Sequence, residues 1–297
     1  MPSTIELPWT AQQNISGVGT SYRPSIATYN GVLYAAWKGV SNDTGIYYAS
    51  STGATWSPQK KINGVGTAIG PGLAVFNNRL YAAWQGIPGD DTIYWASFDG
   101  NQWSSQNKIG AVGTSAMPSL AVYNGRLYAA WKGVGNDQGL YWASFDGTNW
   151  SKQSNISGVG SNVGPSLATY GDKLWAAWKG VISSDGATDD ETIYFSTYDG
   201  VSWAGQQILG GNASSQVGIS LCSTASHLYA AWRGRSGDDA IHSQIFDGQT
   251  WTDQATIAGA GSSEGPSIAW LSNTVYAIWP GVPGDDGIYW AEWPGNV

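Results

Sequence analysis

The stretch that decides the fold runs from Pro118 to Gly164 and reads PSLAVYNGRLYAAWKGVGNDQGLYWASFDGTNWSKQSNISGVGSNVG. Four short runs alternate in it with turns: PSLAVY ends at Asn124-Gly125, LYAAWK ends at a polar loop, LYWASF ends at Asp146-Gly147, and NWSKQSNI follows. Asn-Gly and Asp-Gly between apolar runs are strong signals for hairpin turns. The stretch therefore predicts four short antiparallel strands in consecutive order.

The rest of the chain repeats this unit at a period of about fifty residues, which is typical of propellers, solenoids and arrays. We place the repeats at 24–70, 71–117, 118–164, 165–218, 219–265, and 266–297 together with 1–23, all within a single domain, 1–297. Two tryptophan series keep the register of all six units. The AW-x-G series is Trp37, Trp84, Trp131, Trp178, Trp232 and Trp279, and the W-x-x-Q series is Trp9, Trp56, Trp103, Trp150, Trp203 and Trp251.

The arrangement of the repeats indicates a closed ring. A four-stranded meander cannot bury both of its faces alone, so it must stack on copies of itself. Radial repetition of four-stranded units gives a β-propeller. The last unit ends at IYWAEWPGNV, after its third strand, and LPWTAQQNISGVGT near the N-terminus matches the missing fourth strand. We therefore predict an all-β, six-bladed β-propeller of four-stranded antiparallel blades, closed by the N-terminal strand joining the last blade.

Composition narrows the class of protein and of partner. Only 11% of residues are charged, while 41 are Gly and 18 are Trp, as expected of a packed β protein. A net charge of −8 argues against nucleic acid as a partner, because nucleic-acid affinity comes largely from neutralised phosphates. No apolar run approaches the ~20 residues needed for membrane insertion. The N-terminus MPSTIELPWT shows no signal peptide, so we expect a cytoplasmic protein or secretion by a non-classical route.

We expect a ligand site on the face that carries the second-to-third-strand loops and the links between blades, because these segments are longer and more polar than the opposite turns. Three residue types recur there: a long donor after the AW-x-G tryptophan, an aspartate before the third strand, and an aromatic within it. An aromatic face with a donor and a carboxylate acceptor suits a sugar. The candidate ligand-binding residues are Trp37, Lys38, Asp43, Tyr48, Trp84, Gln85, Asp90, Trp95, Trp131, Lys132, Asp137, Trp142, Trp178, Lys179, Asp190, Phe195, Trp232, Arg233, Asp238, Asp285 and Trp290.

These positions also have structural interpretations. The W-x-x-Q tryptophans suit the core, the AW-x-G tryptophans suit packing as well as ligand contact, and the aspartates suit hydrogen bonds to backbone amides of their own loops. The aspartate doublets at 90–91, 189–190, 238–239 and 285–286 suggest Ca²⁺, but no D-x-D-x-D-G array supplies its roughly six to eight oxygens. His227 and His242 fall at opposite ends of the fifth unit. We therefore expect no metal and no cofactor.

The corners SFDGNQW, SFDGTNW, STYDGVSW and IFDGQTW resemble the Asp-box corner of sialidase-type propellers, with one residue fewer between Asp and Gly. The six-unit ring with N-terminal closure is similar to the fungal and bacterial six-bladed propeller lectins of the fucose-binding type. This resemblance implies a carbohydrate-binding lectin, or hemagglutinin, with several similar low-affinity sites around one face. Its partners would be glycans or glycoconjugates, bound through multivalency by a monomer or small homo-oligomer.

Two other functions compete with a lectin. A sialidase-like glycoside hydrolase would need three arginines around one substrate carboxylate, whereas Arg79 and Arg126 occupy equivalent turns in different repeats. Because polar groups recur here instead of forming one asymmetric catalytic constellation, we expect no enzyme. A protein-interaction propeller scaffold is the other alternative, and the insertion VISSDGATDDE in the fourth unit is its best contact candidate.

Overall fold

The computed structural model describes residues 9–182 and 188–294, and 24 β-strands lie in these ranges. Strand β1 (Gln13–Gly19) is followed by β2 (Ser25–Tyr29), β3 (Val32–Lys38), β4 (Gly45–Ser51), β5 (Lys60–Gly66), β6 (Gly72–Phe76), β7 (Arg79–Gln85), β8 (Thr92–Phe98) and β9 (Asn107–Gly113). Then come β10 (Ser119–Tyr123), β11 (Arg126–Lys132), β12 (Gly139–Phe145), β13 (Ser154–Gly160), β14 (Ser166–Tyr170), β15 (Lys173–Lys179), β16 (Ile193–Tyr198) and β17 (Gln207–Ile208). The last are β18 (Ile219–Ser223), β19 (Leu228–Arg233), β20 (Ala240–Phe246), β21 (Ala255–Gly261), β22 (Ser267–Leu271), β23 (Thr274–Pro280) and β24 (Gly287–Pro294).

The strands form six four-stranded antiparallel sheets, one for each blade of a propeller. Blade one is β2 to β5, blade two β6 to β9, blade three β10 to β13, blade four β14 to β17, and blade five β18 to β21. The first strand of each blade contacts the first strand of the next blade, and β22 contacts β2, so the ring is complete. The predicted all-β, six-bladed fold is therefore confirmed.

Blade six is completed from both ends of the chain, with the strand order β1-β24-β23-β22. Gln13 pairs with Trp290 and Asn14 with Tyr289. The Thr10 backbone N–H donates a hydrogen bond to the Glu292 carbonyl oxygen at 2.8 Å. The predicted closure by the N-terminal strand is confirmed, and β1 covers the edge of β24 that would otherwise be unpaired.

The second strand of each blade is apolar on both faces because each face packs against a different neighbour. In β11, Leu127, Ala129 and Trp131 belong to a core shared with blade two. Tyr128 and Ala130 belong to a core shared with blade four. Successive side chains of a strand point to opposite faces, so this run reads as continuous apolar sequence instead of an alternating one. The core therefore lies between blades.

The turns define two faces of the disc. Asn124 (φ 46°) and Gly125 (φ 69°) form the tight turn between β10 and β11, where both residues need positive φ. At the corner after β12, Asp146 Oδ1 accepts the backbone N–H groups of Thr148 and Asn149, each at 2.8 Å. We call the side with these turns and corners the hairpin face. The loop face is the opposite side, with the second-to-third-strand loops and the links between blades.

The described residues contain no helix long and apolar enough to cross a membrane. They also contain no group of three or more His, Cys, Asp or Glu side chains placed to hold a metal ion. Residues 183–187 of the fourth-unit insertion, a candidate for protein contact, lie outside the described residues.

Candidate functional site

The AW-x-G tryptophans are core residues in all six blades. Each is 0% exposed. Trp131, for example, packs with Ala83 and Ile93 of blade two. A fully buried indole cannot touch a surface ligand, so the expectation of ligand contact is wrong and packing is the correct alternative. The correction covers Trp37, Trp84, Trp131, Trp178 and Trp232.

The long donors that follow these tryptophans also point inward. Lys132 Nζ donates to Ser115 Oγ at 2.9 Å and to the carbonyl oxygens of Gly133 and Gly135 at 3.2 and 2.7 Å. Lys38 makes the matching three bonds in blade one. Burial lowers the pKa of both lysines because it disfavours the charged form. Each lysine therefore fastens the link that enters its blade to the loop that follows its second strand.

The same position in three other blades uses an aspartate of the doublet. Gln85 Nε2 donates to Asp91 Oδ1 at 2.7 Å. Lys179 pairs with Asp189, and Arg233 pairs with Asp239. These contacts account for three of the four doublets without a cation. No donor of this series is more than 7% exposed, so the expectation that they bind a ligand is wrong for Lys38, Gln85, Lys132, Lys179 and Arg233.

The recurring aspartates form hydrogen bonds within their own loops, which agrees with the structural interpretation given for them in the sequence analysis. Asp137 Oδ1 accepts the backbone N–H of Gly139 at 2.9 Å, and Oδ2 accepts the hydroxyl of Tyr141 at 2.9 Å. This hydrogen bond raises the pKa of Tyr141. The equivalent carboxylate pairs are Asp43–Tyr47, Asp90–Tyr94, Asp190–Tyr194 and Asp285–Tyr289, with Asp238–His242 in blade five. The aspartates thus stabilise the rim, where Asp43 and Asp137 remain exposed.

The third-strand aromatics lie between blades and not on the loop face. Trp142 follows Tyr141 and therefore points to the other side of β12, toward blade four. Trp142 consequently does not converge with Lys132 and Asp137, and the three-residue rim site expected on the loop face is not assembled. Tyr48, Trp95, Phe195 and Trp290 likewise contact the ring of the W-x-x-Q tryptophan of the following blade.

A different set of residues does come together, along what we call the seam between adjacent blades. In the seam of blades three and four, Trp142 stacks on Tyr128 with ring centroids 5.7 Å apart. It also meets Tyr198 and Trp203 of blade four at 5.2 and 6.5 Å. Trp142 and Trp203 are only half-buried. The seam therefore presents part of an aromatic surface to solvent.

A charged pair stands at the hairpin-face end of this seam. Arg126 begins β11, and its Nη2 lies 4.0 Å from Asp146 Oδ2, with the two side chains 41% and 44% exposed. Arg126 Nη1 is buried and has no hydrogen-bond partner among the described residues. The backbone N–H groups of Asn149 and Thr148, and then the charge of Arg126, lower the pKa of Asp146. The pair therefore presents a partly exposed guanidinium beside a carboxylate that stays ionised.

Three seams carry the complete set of basic residue, aspartate and aromatic. They are Arg79, Asp99 and Trp95 between blades two and three; Arg126, Asp146 and Trp142 between three and four; and Lys173, Asp199 and Phe195 between four and five. The seam of blades five and six has His227 and Asp247, but Ser243 replaces the aromatic and accepts the Trp9 Nε1 hydrogen at 3.1 Å. The other two seams begin their second strands with Val32 and Thr274 and lack a basic residue there.

Sequence reasoning did not include Arg79, Arg126 and Lys173 among the candidates, although a signal was present. These residues occupy the same turn position in successive repeats, and Asp99, Asp146 and Asp199 occupy the same corner. In each repeat, the second and third strands separate the basic residue from the aspartate in sequence. Their pairing depends on the register of the second and third strands, where Tyr128 lies opposite Ser144.

No protein-family model and no curated protein sequence matches the chain. Solved structures do resemble it. A fungal lectin from Aleuria aurantia, described as a six-bladed β-propeller with a novel fucose recognition mode, has a TM-score of 0.67 and 15% identity, covering 93% of each chain. The NanB sialidase of Streptococcus pneumoniae has a TM-score of 0.71 and 11% identity, covering 99% of this chain and 72% of that one.

A third similar structure is the Trypanosoma rangeli sialidase bound to the inhibitor DANA. Its TM-score is 0.69 at 13% identity, covering 94% of this chain and 55% of the sialidase. The resemblance to six-bladed propeller lectins, with sialidases as further neighbours, is thus confirmed at the level of fold. Identities this low establish architecture only, because one fold carries many functions.

Proposed function

We propose that the protein is a carbohydrate-binding lectin whose sites are the three complete seams, acting by multivalency on glycans or glycoconjugates. The observation that carries this proposal is the recurrence of one basic residue, one ionised aspartate and one aromatic group at equivalent places. The aromatic group is half-exposed in Trp95 and Trp142 and buried in Phe195. We move the sites from the loop face to the hairpin face, because the donors expected on the loop face are buried. The number of sites we propose is three per chain.

The chemistry of one seam fits a monosaccharide. The exposed part of the Arg126 guanidinium and the Oδ2 atom of Asp146 suit two neighbouring hydroxyl groups of a sugar. The guanidinium donates to one hydroxyl oxygen, and the carboxylate accepts the hydrogen of the other. The exposed part of Trp142 or Trp203 suits the C–H face of the sugar ring. Fucose is the natural first probe, since the similar Aleuria aurantia lectin was solved with a fucose-containing disaccharide and with a methyl fucoside.

The repeated character of the seams favours a binder over the two alternatives. We infer that the protein is not a glycoside hydrolase, because catalysis requires one asymmetric constellation with displaced pKa values. A protein-interaction scaffold would require a single divergent surface, whereas the three seams differ only by Arg for Lys and Phe for Trp.

Each seam is open and offers few contacts, so we expect a single-site Kd of roughly micromolar to millimolar. Three rigidly spaced sites make the later contacts with a cell surface intramolecular. Avidity then exceeds the single-site affinity by roughly 10²–10⁴ without any new contact. The protein should therefore agglutinate cells while it binds free monosaccharide weakly.

The test is a triple variant with Arg79→Met, Arg126→Met and Lys173→Met, measured by glycan-array binding, hemagglutination and titration calorimetry with fucose. We expect the number of fucose sites to fall from three to two, one and none as the three substitutions are added in turn. Agglutination should be lost in the triple variant, while circular dichroism stays unchanged. The matched control removes the same charge outside the seams, at the exposed Lys60, Lys108 and Lys152.

Equal losses in the seam variant and the control would mean that net charge, not the seams, drives binding. A folded triple seam variant that binds cells like wild type would refute the seam sites, and a stoichiometry of one would refute the repeat-based mechanism.

A further inference from the structure

A cavity of about 320 Å³ lies on the propeller axis, lined by the first strands of the blades and by the links that precede them. It is separate from the seams, which lie farther out between the sheets. Serine begins or nearly begins the first strand in five of the six blades, and blade two has Gly72 instead. The five serines that line the cavity are Ser25, Ser119, Ser166, Ser220 and Ser267.

These serines carry donors that the protein does not use. The Oγ atoms of Ser25, Ser166 and Ser220 each accept a backbone N–H from the next blade at 3.0–3.1 Å. None of the three hydroxyls donates a hydrogen bond to any described residue, although each is at most 7% exposed. Buried polar hydrogens normally find a partner, so the ring of hydroxyls calls for an acceptor in the cavity.

Arg23 breaks the sixfold repeat inside this cavity. Its position in the other blades is occupied by Gly70, Met117, Gly164, Gly218 and Gly265. Arg23 Nε donates to Ser267 Oγ at 3.3 Å, and Nη2 donates to the Ile219 carbonyl oxygen at 3.0 Å. Nη1 has no hydrogen-bond partner among the described residues, and Arg23 forms no salt bridge with them.

The Arg23 side chain is half-buried. Desolvation lowers the pKa of Arg23 to about 10, against the charge of Glu264, which raises it. Arg23 has no carboxylate within salt-bridge distance among the described residues, so a bound anion would offset the cost of its partial desolvation. The one carboxylate that lines the cavity is Glu264, which has no hydrogen bond or salt bridge to Arg23. Burial raises the pKa of Glu264, against the opposing charges of Arg23 and Arg233. Ile69, Val163 and Val217 are among the apolar residues that line this end of the cavity.

We propose that the axial cavity is a single binding site for a small carboxylate ligand. The ligand carboxylate accepts hydrogen bonds from Arg23 Nη1 and from the serine hydroxyls, and the ligand body lies against Ile69, Val163 and Val217. A cavity of about 320 Å³ has room for an acidic monosaccharide. Glu264 repels the ligand when it is ionised. The site does not depend on the seams.

Sodium glucuronate is the probe, and uncharged glucose is its matched control. Titration calorimetry of the full-length triple seam variant, which lacks the proposed seam sites, should give one glucuronate per chain and no binding of glucose. Arg23→Met should fit the cavity, because Met117 occupies the equivalent position before blade three. We expect it to weaken glucuronate affinity at least about tenfold, because one charge-assisted hydrogen bond is lost. Glu264→Gln should bind glucuronate more tightly, since it removes the repelling charge. The triple seam variant should keep wild-type affinity for glucuronate.

Three results would overturn the proposal: no saturable binding of glucuronate, equal binding of glucose, or unchanged affinity in a folded Arg23→Met variant. If Arg23→Met does not fold, Ser220→Ala and Glu264→Gln decide instead. Weaker binding in Ser220→Ala together with tighter binding in Glu264→Gln supports the site. Weaker binding in Glu264→Gln shows that the carboxylate attracts the ligand, and that outcome rejects an anion site.

Discussion

The contribution of the N-terminal strand to stability can be measured by comparing two equivalent isoleucines. Ile15 lies in β1 and Ile156 lies in β13, at the same position of their blades, and each is 2% exposed. Ile15 packs in the core shared by blades six and one, and Ile156 in the core shared by blades three and four. The two residues differ in that only Ile15 sits on a strand joined to its sheet by hydrogen bonds alone, with no hairpin to β24.

We expect Ile15→Ala and Ile156→Ala to destabilise the protein equally. Removing a buried isoleucine side chain beyond Cβ costs about 2–5 kcal/mol. At about 2 °C per kcal/mol for a chain of this size, the melting temperature should fall by about 4–10 °C in both variants. Equality within about 0.5 kcal/mol means that β1 unfolds together with the rest of the ring.

Differential scanning calorimetry and urea titration of both variants provide the measurement, with hydrogen exchange of the β1 amides as a third observable. A strand that opens on its own contributes little to global unfolding. The reasoning is therefore refuted if Ile156→Ala lowers the melting temperature by several degrees while Ile15→Ala leaves it unchanged.

Three further outcomes follow from the contacts described above. Lys132→Met leaves two carbonyl oxygens and a serine hydroxyl without their hydrogen-bond donor. It should lower the free energy of unfolding by about 1–3 kcal/mol in urea titration and leave sugar affinity unchanged. A change in affinity alone would contradict the structural role of Lys132. Gly66→Ala places a Cβ 2.9 Å from Ile87 Cγ2, so it should lower the free energy of unfolding by about 1–3 kcal/mol. In a double-mutant cycle, Ile87→Ala should recover part of that loss, and additive effects of the two substitutions would exclude the clash. Burial raises the pKa of Glu264 above its usual 4.5, so between that value and the raised one the unfolded chain is ionised while the folded chain keeps its proton, and stability falls as pH rises. The melting temperature of Glu264→Gln minus that of wild type should accordingly increase from about pH 4 to about pH 7, and a constant difference would show that the carboxyl does not titrate abnormally.

Local chemistry was enough to predict the architecture. Asn124-Gly125 specifies a turn with two positive φ angles, and Asp146 caps its corner through backbone N–H groups three residues away at most. Such signals act within a few residues, so they can be recognised from the amino-acid sequence alone. The match between the first and last segments then predicted the closure, because only one strand was missing from one repeat.

The identity of the exposed residues was decided by tertiary structure. Trp131 and Lys132 have the composition of a binding surface, but neighbouring sheets cover the indole, and the link before blade three receives the ammonium group. Periodicity identifies which residues are equivalent, yet it does not state which side of a blade its neighbour will cover.

The two proposed sites depend on contacts that lie far apart in sequence. Arg126 meets Asp146 across two strands, and the aromatic surface beside them needs Trp203 of the next blade. Arg23 and Glu264 line one cavity only because the ring brings the first and last blades together. The sequence by itself determined the blade, the number of blades and the closure, since these follow from short-range turns and repetition. Only the packed ring decided which polar groups form hydrogen bonds within the loops and which stay free to bind a ligand, because the exposure of each group depends on how neighbouring blades cover it.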